Sequence, residues 1–202
     1  MPMQFSATFQ TCPPKVPLLR TSKSTPAGEL HIGPVVNQHQ RLATGTLVRR
    51  MYAWRGYQTD GASERYNPHR IALAAWQDED IAATLSVGRD APDGLLSETL
   101  YAREIASLRR PGRIICEFSR LAVDPDYSSR QLLLDLFSTA HQYARALFGA
   151  TDAVIEVNPR HARFYEREFG FRKIGELRIC PRVDAPAVLM HRDLATPALI
   201  MA

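Results

Sequence analysis

A charged residue on each face of an otherwise apolar segment is the first chemical signal in this sequence. In an extended segment, successive side chains point to opposite faces. Alternation over 114–123 therefore predicts one face with Ile115, Glu117, Ser119, Leu121 and Val123, and a second face with Ile114, Cys116, Phe118, Arg120 and Ala122. Charged side chains are rarely buried without a partner. Glu117 is thus either half of a structural ion pair or a carboxylate that burial makes a better base, and the residues leave both alternatives open.

A second segment, 158–171, carries polar and aromatic side chains directly after a predicted strand. It turns at Pro159 and forms a short helix that ends at Gly170. Phe164 and Tyr165 on this helix are expected to pack onto the sheet. Core packing is the ordinary role of such side chains, so their spacing does not by itself indicate catalysis.

The elements that must position these segments follow from hydrophobic periodicity and turn residues. Strands are predicted at 30–36, 71–76, 81–87, 114–123, 153–157, 177–179 and 187–191, and helices at 41–57, 95–110, 128–147 and 160–169. Mixed order of this kind indicates an α/β or α+β sheet with helices packed on its faces. Residues 1–28, rich in proline, serine and threonine, are expected to form a poorly ordered or wrapping arm, and residues 29–202 a single domain.

Both segments resemble one enzyme superfamily. Asn158, Ala162, Phe164, Tyr165, Gly170 and Phe171 match the last motif of the GCN5-related N-acyltransferases. The run Glu-Phe-Ser-Arg-Leu-Ala-Val-Asp at 117–124 is similar to the corresponding strand of acyl-homoserine lactone synthases. Together the segments look most like the bacterial long-chain N-acyl amino acid synthases. The resemblance extends over about residues 41–192 and implies a mixed central sheet whose two middle strands splay apart.

The resemblance implies transfer of an acyl group from a thioester to an amine. The catalytic residues it implies are Glu117, Tyr165, Ser119 and Arg120. Glu117 would deprotonate the amine, Tyr165 would protonate the leaving thiolate, and Arg120 would anchor a substrate carboxylate or pair structurally. Backbone N–H groups of Leu121, Ala122 and Val123 would polarise the thioester carbonyl. A regular strand would place Arg120 opposite Glu117, whereas a β-bulge would change that.

The start of the long helix departs from the acetyltransferase pattern. Acetyltransferases of this superfamily have a glycine-rich turn there that binds the pyrophosphate of coenzyme A, but Tyr127–Leu133 contains no glycine. The departure fits a donor with a single phosphate, namely the phosphopantetheine arm of acyl-carrier protein, held by Ser128, Ser129, Arg130 and Asn158. Equally, Ser128 or Ser129 simply caps the helix. No permanently bound cofactor is expected.

An amino-acid acceptor would need its carboxylate bound, most naturally by arginine. Candidates are Arg49, Arg50 and Arg70, with Asp60 to position the ammonium group. Phe118 and Phe137 are candidates to line an apolar slot for the acyl chain, although core packing is their default role. The alternatives are a coenzyme A-dependent N-acetyltransferase, an acyl-homoserine lactone synthase and a non-catalytic acyl-binding module of the same fold.

Composition excludes several other classes of protein. Of 25 basic residues only Lys15, Lys23 and Lys173 are lysine, so 22 are arginine, yet the net charge is only +4. No motif supports nucleic-acid binding, and the six histidines and three cysteines lack metal-ligand spacing. No apolar run is long enough to span a membrane. Dispersed cysteines favour a reducing, cytoplasmic setting. The arginines reflect codon usage or a surface for an acidic partner such as acyl-carrier protein.

Overall fold

The computed structural model of the chain describes residues 21–25, 28–57 and 67–195, with side chains described from residue 30 onward. The strands are β1 (Thr21–Thr25), β2 (Gly28–Pro34), β3 (Arg70–Gln77), β4 (Asp80–Arg89), β5 (Ile115–Val123), β6 (Asp152–Val157), β7 (Arg172–Lys173), β8 (Arg178–Cys180) and β9 (Ala185–Asp193). The α-helices are α1 (Gln38–Trp54), α2 (Glu98–Leu108), α3 (Arg130–Phe148) and α4 (Pro159–Phe169).

The strands form one mixed sheet in the order β1-β2-β3-β4-β5-β6-β9-β7, and β8 pairs with the beginning of β9. Neighbours are antiparallel except for β5 and β6, which run parallel because α3 crosses between them. The predicted α/β architecture and each of its predicted elements are thereby confirmed. Periodicity missed β7, which is only two residues long, and β1, which falls within the predicted arm.

Helices pack on both faces of the sheet. On one face α3 and α4 bury Leu136, Phe137 and Phe169 against the sheet. On the other face α2 packs Ile105 onto β5 and β6, and α1 packs Leu47 onto the end of β5. We call these the α3/α4 face and the α1/α2 face.

Local sequence explains where the long helix begins and ends. The Ser129 hydroxyl accepts a hydrogen bond from the Leu132 N–H (3.1 Å), which satisfies one of the free donors of the first turn. Gly149 ends the helix at φ +63°, a left-handed conformation that glycine adopts without steric cost. The apolar side of α3 between these two ends is the largest helical contribution to the core.

The two middle strands separate partway along their length. Pairing of β5 with β6 ends at Phe118 and Ile155, although both strands continue. On its other side, β5 pairs with β4 through Ser119 and again through Ala122, opposite Ser86 and Thr84. One extra residue therefore lies in β5, and Arg120 takes φ +54°. This is a β-bulge at the point where the strands separate.

The bulge reverses the alternation predicted for the second half of this strand. Leu121 and Val123 pack on the α3/α4 face and Ala122 on the α1/α2 face, opposite to the regular pattern. The prediction of one continuous face through Glu117, Ser119, Leu121 and Val123 is therefore wrong beyond Ser119. Because only one residue is inserted, Arg120 moves to the same side of the sheet as Glu117 and Ser119.

Candidate active site

Glu117 lies on the α1/α2 face just before the strands separate, and its side chain is buried, with 1% exposed. Its two carboxylate oxygens accept hydrogen bonds from the backbone N–H groups of Leu96 (2.9 Å) and Ser97 (2.8 Å), immediately before α2. The Ser97 hydroxyl lies beside the same carboxylate, but it is not in hydrogen-bonding geometry with any described residue. Burial raises the pKa of Glu117, while these N–H donors and the charge of Arg70 oppose the increase. Glu117 is therefore not part of an ion pair within the described residues.

Arg70 on β3 and Glu117 on β5 are separated by Gly88 on the intervening strand β4. In the ladder Arg70 is opposite Gly88 on β4, and Gly88 is opposite Glu117 on β5. A Cβ at position 88 would lie 3.1 Å from the Arg70 Nε. The missing side chain of Gly88 thus leaves the room in which the guanidinium lies, and Arg70 contributes to the pKa of Glu117 from there.

Arg120 and Arg70 form a pair of like charges on this face. Burial lowers the pKa of Arg120, and the neighbouring charge of Arg70 lowers it further. Neither guanidinium makes a hydrogen bond or ion pair with a residue that the structure describes, and the Arg70 Nε and the Ser119 hydroxyl are buried without a partner there. Two partly buried cations that make no ion pair with a described residue favour binding of an anion.

Two tyrosines, Tyr52 on α1 and Tyr165 on α4, are the remaining acid candidates near the separating strands. Tyr165 on α4 is 9% exposed, and burial raises its pKa to about 12. Tyr52, near the end of α1, also has its pKa raised to about 12 by burial, although the charge of Arg120 opposes this increase. Both phenols are therefore protonated at neutral pH and are available as donors. The Tyr165 ring packs against Phe137, with centroids 5.6 Å apart, and Tyr52 contributes to the pKa of both Tyr165 and Arg120.

Sequence reasoning missed Tyr52, and it also missed two residues on the other side of Glu117. Arg182, in the turn between β8 and β9, pairs with Glu156 on β6 (2.7 Å) and donates to the carbonyl oxygen of Leu96. Arg182 follows a short strand and carries no motif, so no local signal indicates its role. Tyr52 lies in the amphipathic α1, where its sequence pattern predicts only a half-buried helical residue.

The predicted phosphate-binding residues lie at the starts of two helices, with Ser128, Ser129 and Arg130 before or in the first turn of α3 and Asn158 before α4. The side chain of Ser129 caps α3, as one of the two alternatives required, and Ser128 ends a short 3-10 turn before it. Arg130 pairs with Glu168 on α4 (Nε to Oε2, 3.1 Å). The side chain of Asn158 caps α4 by accepting from the Arg160 N–H (3.2 Å). Each has a structural contact, and a role in binding the donor stays a prediction.

The predicted acceptor and acyl-chain residues separate into different environments. Arg49 and Arg50 are exposed on α1, where Arg50 pairs with Asp124, so neither accompanies Glu117 as Arg70 does. Asp60 lies outside the described residues. Phe118 and Phe137 are buried in the core of the α3/α4 face with ring centroids 6.0 Å apart. Their packing explains both, and acyl binding by them stays a prediction.

The described residues contain no cluster of histidine, cysteine and carboxylate side chains that could hold a metal ion. Within the same residues, no helix is both long and apolar enough to cross a membrane. The candidate site therefore consists of a buried carboxylate, a pair of guanidiniums and two phenols around the separating strands. Such a set can bind a zwitterion, accept a proton and donate one.

Comparison with known proteins identifies the family and the fold of the chain. The family model of the N-acyl amino acid synthase FeeM matches residues 43–193. The solved structure of FeeM, from uncultured soil microbes, is 26% identical, with 82% of this chain and 92% of that chain covered and a TM-score of 0.76. A putative N-acetyltransferase from Lactobacillus plantarum is 18% identical (82% and 98% covered, TM-score 0.62). The acyl-homoserine lactone synthase LasI is 12% identical (82% and 89% covered, TM-score 0.56). These last two similarities concern the fold, which is that of GCN5-related N-acyltransferases. No curated protein sequence matches significantly.

Proposed function

Because the chain belongs to the FeeM family of N-acyl amino acid synthases, and is therefore an N-acyltransferase, we propose that it joins a long-chain fatty acyl group from acyl-carrier protein to the amine of an amino acid. The observation that carries the proposal is the buried Glu117 beside the guanidiniums of Arg70 and Arg120, which make no ion pair with a described residue. An amino acid presents one carboxylate and one ammonium group. Its carboxylate matches the two cations, and its ammonium group matches Glu117.

The proposed reaction uses each group once. Glu117 takes a proton from the ammonium group, directly or through water, and the free amine attacks the thioester carbonyl carbon. The C–N bond forms, and the oxyanion accepts hydrogen bonds from backbone N–H groups of Leu121–Val123, along the β5 edge that β6 has left. The C–S bond then breaks, and Tyr165 protonates the thiolate. Since the pKa of Tyr165 is raised, it carries its proton until that step. The attacking nitrogen loses its second proton, which restores the Tyr165 phenol through water, and Glu117 releases its own proton to solvent.

The residues at the starts of α3 and α4 support the proposal that acyl-carrier protein is the acyl donor. No glycine is present at 127–133, so a Cβ occupies each position where a pyrophosphate would approach the backbone. A phosphopantetheine arm has only one phosphate, for which Ser128, Arg130 and Asn158 are the proposed contacts. Arg160 and Arg163 are exposed on the first turns of α4 and suit the acidic surface of a carrier protein. Free thiols at Cys116 and Cys180 support the accompanying proposal of a cytoplasmic location.

The test supplies the purified protein with acyl-carrier protein loaded with short or long acyl chains, and separately with the matching acyl-coenzyme A thioesters. A panel of amino acids serves as acceptors, and mass spectrometry reads the products. We expect N-acyl amino acids from the long-chain carrier protein. Products from acetyl-coenzyme A alone would favour the acetyltransferase, and release of a methylthio-nucleoside from S-adenosylmethionine would favour the lactone synthase. If no donor–acceptor combination gave a product, the result would favour a non-catalytic acyl-binding module.

Recognition of the acceptor carboxylate has its own control. The methyl ester of the preferred amino acid keeps the amine and removes the negative charge. Loss of a charged hydrogen bond costs about 1.5–3 kcal/mol, so Arg70→Gln should raise KM for the free amino acid by about 10- to 150-fold and leave KM for the ester unchanged. Arg178→Gln, which removes an arginine pairing with Glu104 on α2 away from this site, should change neither.

A further inference from the structure

A chain of hydrogen bonds joins the β8–β9 turn to the carboxylate of Glu117. One nitrogen of the Arg182 guanidinium donates to Glu156 (2.7 Å), and another donates to the carbonyl oxygen of Leu96. That carbonyl belongs to the same peptide group as the N–H of Ser97, which donates to Glu117 Oε1 (2.8 Å). A single peptide group therefore has a cation on its oxygen and a carboxylate on its hydrogen.

We propose that Arg182 is a positioning residue for Glu117 and acts through the peptide group between Leu96 and Ser97. A positive charge on the carbonyl oxygen polarises the peptide and makes its N–H a stronger donor, because linked hydrogen bonds strengthen one another. The contact also holds the segment before α2 in the orientation that directs both N–H groups at the carboxylate. The catalytic meaning of this arrangement rests on the proposed role of Glu117 as the base.

The other groups around Glu117 indicate why a contact from Arg182 through the peptide is useful. Arg70 faces it from β3, Arg120 from its own strand, and the N–H groups of Leu96 and Ser97 face it from the start of α2. The acceptor carboxylate would bind the guanidiniums of Arg70 and Arg120 and reduce their effect on Glu117. Arg182 is matched by Glu156 and remains in place throughout, so its contribution through the peptide does not depend on substrate.

The same hairpin supplies a matched control. Arg178 on β8 also bridges a backbone carbonyl and a carboxylate of the α2 region, namely Leu100 and Glu104. Its contacts fix the hairpin to α2, whereas those of Arg182 fix it to β6 and to the segment before α2, and only the latter include the peptide that binds Glu117. If Arg182 only holds the hairpin in place, removal of either arginine should have the same consequence for Glu117.

The experiment measures Glu117 directly and needs no substrate. The protein is labelled with ¹³C at the glutamate carboxyl carbon, the Glu117 signal is assigned by its loss in Glu117→Gln, and the protonation of Glu117 is followed by NMR. In Arg182→Gln we expect the pKa of Glu117 to rise by about one unit, since a charge two hydrogen bonds away is worth about 1–2 units before Glu156 offsets part of it. The amide proton of Ser97 should move upfield, as a weakened hydrogen bond requires. Arg178→Gln should change neither signal.

Two further variants separate the causes. Arg182→Lys keeps the charge and should restore part of the shift. The double variant Arg182→Gln, Glu156→Gln removes a neutral pair, so an upfield Ser97 amide there reports loss of the peptide contact rather than of net charge. Equal changes in the Arg182 and Arg178 variants, or no change in Arg182→Gln, would overturn the proposal.

The pH dependence of kcat/KM then tests whether the effect of Arg182 on Glu117 matters for turnover. If Glu117 is the base, the rising limb of kcat/KM against pH should move to higher pH in Arg182→Gln by the shift that NMR measures, with KM for the acyl donor unchanged. Absence of N-acyl products would refute the proposed function and leave the NMR result standing. An unchanged NMR signal in an active enzyme would refute the role of Arg182 alone.

Discussion

Replacement of Glu117 by glutamine should change how stability depends on pH, because burial raises the pKa of this carboxyl group in the folded protein. In the unfolded chain its pKa is near 4.5. Below that pH Glu117 is protonated in both states, and its contribution to stability is fully present. As the pH rises from 4.5 toward the raised folded value, the unfolded chain ionises first. The free energy of unfolding then falls by up to about 1.4 kcal/mol per pH unit.

Glutamine has the same shape and does not titrate, which isolates this effect. Its amide nitrogen must face one of the N–H groups of Leu96 and Ser97, where the hydroxyl oxygen of protonated Glu117 still accepts weakly, so Glu117→Gln loses part of one hydrogen bond at a cost of at most about 1–3 kcal/mol. That cost is independent of pH. We therefore expect the wild type to be the more stable protein at low pH and to lose this advantage steadily above about pH 4.5.

Urea unfolding of both proteins at a series of pH values measures the difference. Titration of all other groups is common to the two proteins and cancels in the comparison. A difference that stays constant with pH would mean that the N–H donors and Arg70 balance burial, and one that grows in favour of the wild type as pH rises would mean that they outweigh it. Either result would refute the raised pKa. The same variant should slow acyl transfer by about 30- to 1000-fold, equivalent to about 2–4 kcal/mol, if Glu117 is the base.

Three further predictions concern other parts of the site. Tyr165→Phe should lower kcat for poor thiol leaving groups and have little effect on activated thioesters, which release a stable thiolate; an equal loss with both donors in steady-state assays would contradict its role as an acid. The double charge reversal Arg160→Glu, Arg163→Glu should weaken turnover of acyl-carrier protein in a salt-dependent way but spare small thioesters, and equal loss of both would exclude docking there. Gly88→Val should displace the Arg70 guanidinium and raise KM for the free amino acid as Arg70→Gln does, but not KM for its methyl ester.

The fold was largely predictable because its elements carry strong local signals. The α3 stripe, the alternation in the sheet and the glycines at helix ends are each repeated over enough residues to decide between helix and strand. Strand β7 could not be found, since two residues carry no period. The reversal after Ser119 was equally hidden, because a β-bulge is defined by pairing with β4 and not by the residues that form it.

The site was predictable only where residues of one strand or one helix act together. Glu117, Arg120 and Tyr165 lie in recognisable segments, and their roles stay predictions. Glu117 and Arg120 are on either side of Phe118, where pairing of β5 with β6 ends. Arg182 and Tyr52 come from a turn and from the end of α1, distant in sequence from Glu117. Their part depends on contacts across the fold, for which a single sequence contains no local pattern.

The arginines do not all have the same role, and their ion-pair partners distinguish two groups. Most of the partly buried arginines that the structure describes neutralise a carboxylate: Arg113 pairs with Asp152 and Asp193, Arg178 with Glu104 and Arg182 with Glu156. Arg70 and Arg120 are different, since they lie together beside Glu117 without such a partner. Codon usage can supply arginine anywhere, but it does not explain why a glycine at position 88 leaves room for one of these two guanidiniums. That juxtaposition, rather than the number of arginines, is the reason to expect an acceptor with a carboxylate.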